Sequence, residues 1–479
     1  MAALNAMDDT IMALATPSGA GAIAIIRMSG KDAFSIADKV FRAKGKKTIS
    51  EADSHTLIFG DIVDPSTGSG QAPSTGSGQV EELVDEVLVS VFRNPKSFTG
   101  EDSVEISCHG STFIQKRILN LLGRKGCRMA KPGEYSMRAF LNRKMDLSQA
   151  EAVADLIASS SEAAHKVAMH QMRGGFGNEL KVLREELVHF ASLIELELDF
   201  AEEDVEFADR SQMTELINRI NTKVDQLIGS FELGNVIKEG VQVAIIGEPN
   251  AGKSTLLNAL LNEERAIVSD VAGTTRDTVE DEMVIEGIRY RFIDTAGIRQ
   301  TTDTIESLGI ERTMQKAEQA DVVMFLFDAS SYTPERLKSE IRNLKIRNPN
   351  LEDHLILVAN KSDMTSENPV SKFAAFKPVS ISAKEKTGIE ELISRLTDFV
   401  NLSALKEDQT IVTNTRHIEA LSGAKTSLQE VLVGFENQVP GDLVAIDIRR
   451  SLFHLGEITG EITTDDLLGN IFSKFCIGK

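Results

Sequence analysis

The octapeptide GEPNAGKS (247–254) constrains the fold more than any other stretch of this chain. It fits the phosphate-binding pattern G-x-x-x-x-G-K-S, with the apolar run Val241–Ile246 before it and a helical pattern of leucines after it. Gly247 and Gly252 allow the backbone to curl, so that successive N–H groups point at an anion beside a helix N-terminus. The motif therefore predicts a strand, a loop and a helix that bind phosphate.

Three further motifs indicate that the nucleotide is GTP. DTAG (294–297) and NKSD (360–363) each end an apolar strand pattern, and SAK (382–384) follows them. The NKSD aspartate, Asp363, is predicted to accept hydrogen bonds from guanine N1–H and the 2-amino group, which adenine does not offer. The Ala383 N–H is predicted to meet guanine O6.

Two metal ligands and a phosphate contact follow from the same motifs. Lys253 is predicted to neutralise the β- and γ-phosphates, and Ser254 to offer its hydroxyl to Mg²⁺. Thr275, within GTTRD (273–277), is suited to complete the Mg²⁺ shell. Asp294 is expected near this metal and the Gly297 N–H near the γ-phosphate.

The hydrolytic machinery is less evident from the residues. GTPases of the Ras type position water with a glutamine directly after the DTAG-like motif, and here that residue is Ile298. Asn250 offers a side-chain oxygen that could hold a monovalent cation against the phosphates. Glu306 could orient the water, or it could be an exposed residue at the start of a helix.

The chain divides into four stretches by pattern. Residues 1–140 mix short β-like runs with turns, residues 143–235 are helical, and residues 402–479 are helical again. Between them, about 240–400, β-branched runs alternate with amphipathic helices, which predicts a mostly parallel sheet. A multidomain α/β and α chain results, with the α/β unit either inserted into a helical domain or placed in a plain string of domains.

Two segments stand out by composition. STGSGQAPSTGSGQ (66–79) has little apolar content and is expected to form a flexible surface loop between strands, with a ligand-binding glycine loop as the alternative. The run Asp199–Asp209 carries six carboxylates, which favours a solvated turn over a metal cluster.

Charge and cysteine content limit the partners and the compartment. The net charge is −20, which argues against a broad basic surface for nucleic acid. The three cysteines, Cys108, Cys127 and Cys476, form no disulfide pattern and fit a reducing cytoplasm. No apolar run is long enough to cross a bilayer, and no signal or transit peptide is expected at the N-terminus.

With GEPNAGKS, GTTRD, DTAG, NKSD and the terminal FCIGK, the chain closely resembles the MnmE (TrmE) family of tRNA-modification GTPases. The resemblance runs nearly end to end. Other family-like segments are TPSGAGAIAIIRMSG (16–30), SFTGEDSVEISCHG (97–110), PGEYSMRAFLNRKMDLSQAEAVADLI (132–157) and EITGEITTDDLLGNIFSKFCIGK (457–479).

The resemblance implies four segments. These are an N-terminal α+β domain that binds folate and dimerises (1–142), a first helical segment (143–235), an inserted P-loop GTPase domain (240–402) and a second helical segment (403–479). It also implies a homodimer that assembles with MnmG (GidA), a partner that holds FAD, into a heterotetramer. Together they add a carboxymethylaminomethyl-type group to C5 of the wobble uridine of certain tRNAs, with a 5-formyl- or methylene-tetrahydrofolate carbon.

The family's site residues transfer by position. K⁺ ligands would be Asn250, Ser269, Val271 and Thr274, with Ser269 standing where threonine is common. Glu306, twelve residues after Asp294, aligns with the family's water-activating glutamate. The predicted GTP-binding residues are Asn250, Ala251, Gly252, Lys253, Ser254, Thr255, Ser269, Asp270, Val271, Ala272, Gly273, Thr274, Thr275, Asp294, Thr295, Ala296, Gly297, Asn360, Lys361, Asp363, Ser382, Ala383 and Lys384.

The implied folate contacts are Arg27, Glu105, Lys144 and Lys479, although an arginine and a glutamate are equally suited to a surface ion pair. Cys476 aligns with the family's essential cysteine. Lys474 and Lys479 are nearby cations that could activate its thiol, and whether its role is chemical or structural stays open.

A different class of function fits part of the same motifs. A regulatory or ribosome-assembly GTPase carries similar nucleotide motifs but usually adds a basic RNA-binding module, and no GXXG loop in a basic context occurs here. Folate binding by the N-terminal region discriminates the two interpretations, because a switch GTPase does not predict it.

Overall fold

The computed structural model describes residues 9–45, 47–65, 81–199, 210–262, 281–293, 320–347, 354–365, 369–399 and 410–478. The chain forms two compact units, which are described separately. The first comprises Met1–Ala154, Gln171–Val205 and Gly441–Lys479, and the second comprises Asp155–His170 and Glu206–Pro440.

The first unit contains a seven-stranded sheet among its described residues, in the order β3-β4-β5-β6-β2-β1-β7. Every neighbouring pair is antiparallel except β1 and β7. Val87, Val89 and Val91 are buried and alternate with more exposed side chains, which is the period of a strand covered on one face. The strands are β1 (Ile11–Leu14), β2 (Ile23–Ser29), β3 (Phe41–Ala43), β4 (Thr56–Asp64), β5 (Glu82–Phe92), β6 (Ser103–His109) and β7 (Arg128–Met129).

Helices cover this sheet and form a second layer beside it. The core joins alternate strand residues to α1 and α2, with Ile106, Ile118 and Leu122 fully buried. Elsewhere in the unit α6 packs on α14, and α15 packs on α3. The helices whose residues lie wholly or mainly in this unit are α1 (Ala33–Val40), α2 (Thr112–Arg124), α3 (Glu134–Leu141), α4 (Leu147–Ala158), α6 (Gly175–Asp199), α14 (Gly441–Thr459) and α15 (Asp465–Ser473).

The second unit contains a six-stranded sheet among its described residues, in the order β13-β12-β11-β8-β10-β9. All pairs are parallel except β9 and β10, so the predicted mostly parallel sheet is confirmed. Strand β9 does not follow from the sequence pattern. The strands are β8 (Val241–Ile246), β9 (Asp281–Ile285), β10 (Ile288–Phe292), β11 (Val322–Asp328), β12 (Leu355–Asn360) and β13 (Val379–Ser380).

Both faces of this sheet are buried. Along β8, Val243 and Ile245 enter one core cluster while Ala244 and Ile246 enter another on the opposite face. Continuous β-branched runs are the sequence signature of such doubly covered strands. The helices of this unit are α5 (Glu162–Met172), α7 (Arg210–Gly229), α8 (Phe231–Glu239), α9 (Lys253–Leu261), α10 (Pro334–Arg347), α11 (Pro369–Lys372), α12 (Ile389–Phe399) and α13 (Thr415–Glu436), and α5 extends by two residues into the first unit.

The predicted helical stretches are confirmed. Leu183, Leu187 and Ile194 are buried on α6 at the predicted spacing. The 66–79 segment and residues 200–209 of the acidic run lie outside the described residues. The four domain boundaries predicted from sequence are a finer division than the two compact units and remain predictions. No helix in the described ranges is long and apolar enough to span a membrane.

Candidate functional sites

The phosphate loop joins β8 to α9 in the second unit. Gly252 precedes the first residue of α9 and has a φ of 101°. A β-carbon at this position would lie 2.3 Å from Nδ2 of Asn360, so only glycine fits here. Asn250 also adopts a left-handed conformation, with a φ of 63°. The backbone therefore curls through the motif as the two glycines predict, and it ends at a helix N-terminus.

Lys253 folds under this loop. Its ammonium donates to the carbonyl oxygens of Gly247 at 2.7 Å and Glu248 at 2.9 Å. Burial lowers the pKa of Lys253 below its ordinary value. A cation held in this way lies where the anionic phosphates of a nucleotide would offset the cost of burying it. Ser254 and Thr255 follow in the first turn of α9.

Asn360 links the phosphate loop to the SAK loop. Its Nδ2 donates to the Ala251 carbonyl oxygen at 2.8 Å, and its Oδ1 accepts from the Ala383 N–H at 3.0 Å. Asn360 is 2% exposed, so both bonds are shielded from water. The GEPNAGKS motif therefore meets the NKSD and SAK motifs, which lie more than a hundred residues later in the sequence, at one edge of the sheet.

The residues expected to meet guanine are arranged around Asp363. The Ser382 hydroxyl donates to Asp363 Oδ1 at 2.6 Å and accepts from the Glu385 N–H at 3.2 Å. Asp363 is exposed and its position is set by this hydroxyl. Lys384 points into solvent and pairs with Glu385 at 3.6 Å. The loop thus presents a fixed carboxylate at the site's surface.

Several predicted nucleotide and metal contacts lie outside the described residues. For Mg²⁺ and K⁺, Ser254 and Asn250 are described and their proposed co-ligands are not. No group of three or more His, Cys, Asp or Glu side chains suited to a metal occurs in the parts of the chain that the structure describes. The predicted residues beyond those parts are Ser269, Asp270, Val271, Ala272, Gly273, Thr274, Thr275, Asp294, Thr295, Ala296, Gly297, Glu306 and Lys479.

In the first unit, Arg27 and Glu105 form an ion pair across neighbouring strands. They are direct partners in the register of β2 and β6, and Arg27 Nε donates to Glu105 Oε1 at 2.8 Å. The guanidinium lies 5.7 Å from the ring centre of Tyr135 and 6.0 Å from that of Phe98. The side chains are 21% and 23% exposed, so the pair lies in a partly open, aromatic-lined place.

Lys144 reaches the loop that carries Phe98. Its ammonium donates to the Pro95 carbonyl oxygen at 3.0 Å, and its stem lies beside Gly100. Arg27 and Lys144 therefore both contact residues of the 95–100 loop.

The C-terminal tail is seated on the same sheet. Arg27 Nη1 donates to the Gly478 carbonyl oxygen at 3.3 Å, and the Gly133 N–H donates to the Cys476 carbonyl oxygen at 3.3 Å. Gly478 has a φ of 101°, and a β-carbon there would lie 2.4 Å from the Leu14 carbonyl oxygen. The thiol of Cys476 is free and exposed. The tail thus brings a cysteine within two residues of the glycine that Arg27 contacts.

Sequence reasoning missed two contributors to these sites. Asp328, the last residue of β11, pairs with Lys361 of the NKSD motif at 2.8 Å. Tyr135, fully buried, donates its hydroxyl to the Arg27 carbonyl oxygen at 2.8 Å. The signal for Asp328 was its place at the end of an apolar strand run in a parallel sheet, where ligand sites lie.

A parallel sheet whose strand ends carry a phosphate loop, an NKSD loop and an SAK loop defines a P-loop GTPase. Two family models match the chain: the MnmE helical domain over residues 147–476 and the GTP-binding protein TrmE N-terminus over residues 10–144. The chain belongs to the MnmE (TrmE) family of tRNA modification GTPases.

Similar curated proteins span almost the whole chain. A relative from Flavobacterium psychrophilum is 57% identical over 473 residues and covers 98% of this chain and 99% of its own length. One from Flavobacterium johnsoniae is 56% identical over 479 residues, covering 98% and 99%. One from Cytophaga hutchinsonii is 55% identical over 472 residues, covering 98% of each. Each carries the name tRNA modification GTPase MnmE.

Proposed function

We propose that this chain is a K⁺-dependent GTPase that modifies tRNA together with a partner of the MnmG (GidA) kind, which supplies FAD. The two proteins add a carboxymethylaminomethyl group to C5 of the wobble uridine of certain tRNAs. The carbon comes from a tetrahydrofolate, and the chain works in the cytoplasm as a homodimer within a heterotetramer.

The observation that carries this proposal is the position of the C-terminal tail. Gly478 contacts Arg27, which pairs with Glu105 between two aromatic rings. A pterin requires flat apolar walls and a carboxylate that accepts from its ring N–H groups, and its glutamate tail requires cations. The exposed ring of Phe98 and the carboxylate of Glu105 suit the first need, while Arg27 and Lys144 suit the second. A GTPase that served only as a switch would not need this arrangement beside a free cysteine.

At the nucleotide site we assign roles to residues inside and outside the described ranges. Asp363 reads the guanine edge, and Lys253 neutralises the phosphates. The Ala383 N–H, which here donates to Asn360 Oδ1, would share or exchange that bond to meet guanine O6. Ser254 and Thr275 hold Mg²⁺, which offsets charge on the phosphate oxygens when it is bound. A hydroxyl oxygen at a helix N-terminus beside the phosphates suits this hard cation. Glu306 orients the attacking water.

Asn250 lies in the phosphate loop in a left-handed backbone conformation. Its side-chain amide supplies an oxygen, which is the kind of ligand that K⁺ requires. The remaining K⁺ ligands proposed are Ser269, Val271 and Thr274. A monovalent cation there supplies the charge stabilisation that an arginine finger gives in other GTPases.

The charge of the chain bears on how tRNA is held. With a net charge of −20, this chain contributes little to the long-range attraction of a polyanion. We therefore propose that the partner subunit makes most of the contacts that bind tRNA.

Reconstitution tests the proposed function. The purified chain, its FAD-loaded MnmG partner, a tRNA transcript, methylene-tetrahydrofolate, an amino donor and GTP in KCl are combined, and the nucleosides are analysed by mass spectrometry. A C5-substituted wobble uridine should form. It should be lost when folate is omitted, when a non-hydrolysable GTP analogue replaces GTP, or when Lys253→Ala replaces the wild-type chain. Product formation without folate would contradict the one-carbon assignment, and no product under the complete conditions would contradict the function.

A further inference from the structure

Asp328 and Lys361 form an ion pair at the base end of the nucleotide site. β11 and β12 run parallel, with Asp328 and Asn360 as partners in register, so both strands end at the same level. Lys361 Nζ lies 2.8 Å from Asp328 Oδ2. The side chains are 30% and 19% exposed, which leaves the pair partly screened from water.

The backbone at Lys361 is unusual for its residue type. It has a φ of 62° and a ψ of 38°, in the left-handed region that favours glycine and asparagine. A lysine held there costs free energy that the surrounding contacts must offset. The ammonium contact with Asp328 is one such contact, and the Ser362 N–H bond to the Ile381 carbonyl oxygen at 3.1 Å is another.

Asp328 is itself held in place. Its Oδ1 accepts from the Ser330 N–H at 2.9 Å and from the Ser330 hydroxyl at 2.6 Å. Burial alone would raise the pKa of Asp328, but the hydrogen bonds from Lys361 and Ser330 lower it below its ordinary value. The Ala329 N–H also donates to the Asn360 carbonyl oxygen at 3.0 Å, which ties the two strand ends together. The carboxylate is therefore charged and oriented when Lys361 meets it.

We propose that Asp328 is a positioning residue for guanine recognition, which acts by holding Lys361 and through it the loop that carries Asp363. Lys361 precedes the short 3-10 helix Ser362–Met364, so its conformation sets where Asp363 points. Ser382 holds Asp363 from one side, and the Asp328–Lys361 pair holds the loop from the other. This inference rests on the proposed role of Asp363 as the residue that reads guanine.

The test compares nucleotide binding by full-length variants, measured by titration calorimetry with GDP, IDP and ADP. IDP lacks the 2-amino group, so the ratio of GDP to IDP affinity reports how well Asp363 is aimed. Asp328→Asn should weaken GDP binding about tenfold, the size expected when a charge-assisted hydrogen bond is lost. IDP binding should weaken less, so that the ratio of GDP affinity to IDP affinity falls. The KM for GTP should rise by the same factor as the dissociation constant, with a much smaller change in kcat.

Asp321→Asn is the matched control. Asp321 precedes β11 at its opposite end, where its carboxylate accepts from the Gln242 N–H at 2.7 Å. This change removes an aspartate charge from the same strand away from the site, and it should leave the GDP to IDP ratio at the wild-type value. Asp328→Glu, which keeps the charge, should recover part of the affinity.

A double-mutant cycle tests the route of the effect. Lys361→Met keeps the apolar stem and removes the ammonium, so it should lower the GDP to IDP ratio as Asp328→Asn does. The double variant should lower the GDP to IDP ratio no more than either single variant does, because each change breaks the same ion pair. If Asp328→Asn does not fold, Lys361→Met alone still decides whether losing the pair narrows the ratio.

Two results would overturn the inference: a wild-type GDP to IDP ratio in Asp328→Asn or Lys361→Met, which is what equal fold losses for both nucleotides would give, or additive changes of that ratio in the double variant. A wild-type chain that binds ADP as tightly as GDP would instead contradict the guanine-site assignment in the proposed function. The two failures are therefore distinguishable.

Discussion

At the residue scale, Gly252 shows how the phosphate loop depends on the absence of a side chain. Its φ is 101°, and the position of a β-carbon lies 2.3 Å from the Asn360 amide nitrogen. Gly252→Ala should displace Asn360 and with it the link between Ala251 and Ala383. Because strain of this kind costs about 1–3 kcal/mol, GDP affinity should fall about 5- to 150-fold.

Titration calorimetry with GDP measures the effect of Gly252→Ala. The control is Gly229→Ala, at the end of α7, where no heavy atom lies within 4 Å of the added carbon. Wild-type affinity in Gly252→Ala, with Gly229→Ala also unchanged, would contradict the steric account of the loop.

A second prediction at this scale concerns two buried charged residues of α3, Glu134 and Arg138. Arg138 is 1% exposed and Glu134 is 4% exposed, and Glu134 Oε1 lies 2.6 Å from Arg128 and 3.1 Å from Arg138. Burial alone would raise the pKa of Glu134, but hydrogen bonds from Arg128, the Lys131 N–H and Arg138 lower it below the ordinary 4.5. The carboxylate therefore stabilises the first unit above about pH 4.5, and this contribution is lost as the pH falls through its lowered pKa.

Glu134→Gln should destabilise the first unit by about 3 kcal/mol at pH 7, since it breaks a buried ion pair from one side. The difference from wild type should narrow at pH 3, because below about pH 4.5 the unfolded chain takes up a proton at Glu134 more readily than the folded chain does. Hydrogen–deuterium exchange of peptides from β2 and α3 measures the change in stability of the first unit. Glu162→Gln, which removes an exposed pair with Lys166, is the control with little effect at either pH. An equal difference at pH 3 and pH 7 would contradict this linkage.

At the scale of elements, the tail after α15 is held by its contacts with the sheet. Gly478→Ala places a β-carbon 2.4 Å from the Leu14 carbonyl oxygen, so the tail should move off β1. Cys476, already exposed, should then be alkylated faster, and folate affinity should fall while GTP turnover remains. Gly469→Ala, on α15 with no heavy atom within 4 Å of the added carbon, is the control. Unchanged folate affinity in a Gly478→Ala chain whose tail is released would contradict the proposed link between tail and folate site.

Much at this scale was predictable from sequence. The runs Val241–Ile246 and Val322–Asp328 form parallel strands, because β-branched residues without polar alternation suit strands that are buried on both faces. The phosphate loop lies between strand and helix, and Gly247 and Gly252 supply the positive φ values that other residue types adopt only at a cost. Strand β9 escaped prediction, since its short stretch DEMVI carries little apolar pattern and pairs antiparallel at the sheet edge.

The contacts that complete the sites could not be predicted from local pattern. Arg27 and Gly478 lie 451 positions apart in sequence, and their meeting depends on how α15 packs on α3. The same is true of the Asp328–Lys361 pair, which depends on the register of two parallel strands. The family resemblance named Arg27 and Glu105 as folate contacts, while residue chemistry alone allowed a surface ion pair. The structure gives them a partly buried ion pair, and their role toward folate remains a prediction.

At the scale of the whole molecule, the cation should control turnover. If Asn250 holds K⁺ against the phosphates, replacing KCl with NaCl at the same ionic strength should lower GTP turnover at least about tenfold, since transition-state charge is then less well stabilised. Asn250→Ala should lower turnover in KCl and remove the difference between the two salts. Phosphate release measured at saturating GTP checks both. Equal wild-type rates in the two salts would contradict the K⁺ assignment.

The central claim is that GTP hydrolysis, the folate site and Cys476 serve one tRNA modification. Mass spectrometry of tRNA nucleosides from cells lacking this chain tests it most directly, with complementation by wild type or by Cys476→Ser. A C5-substituted wobble uridine should disappear on deletion and return with the wild-type chain. Its return with Cys476→Ser as well would restrict the cysteine to a structural role. Unchanged nucleosides in the deletion strain would contradict the claim.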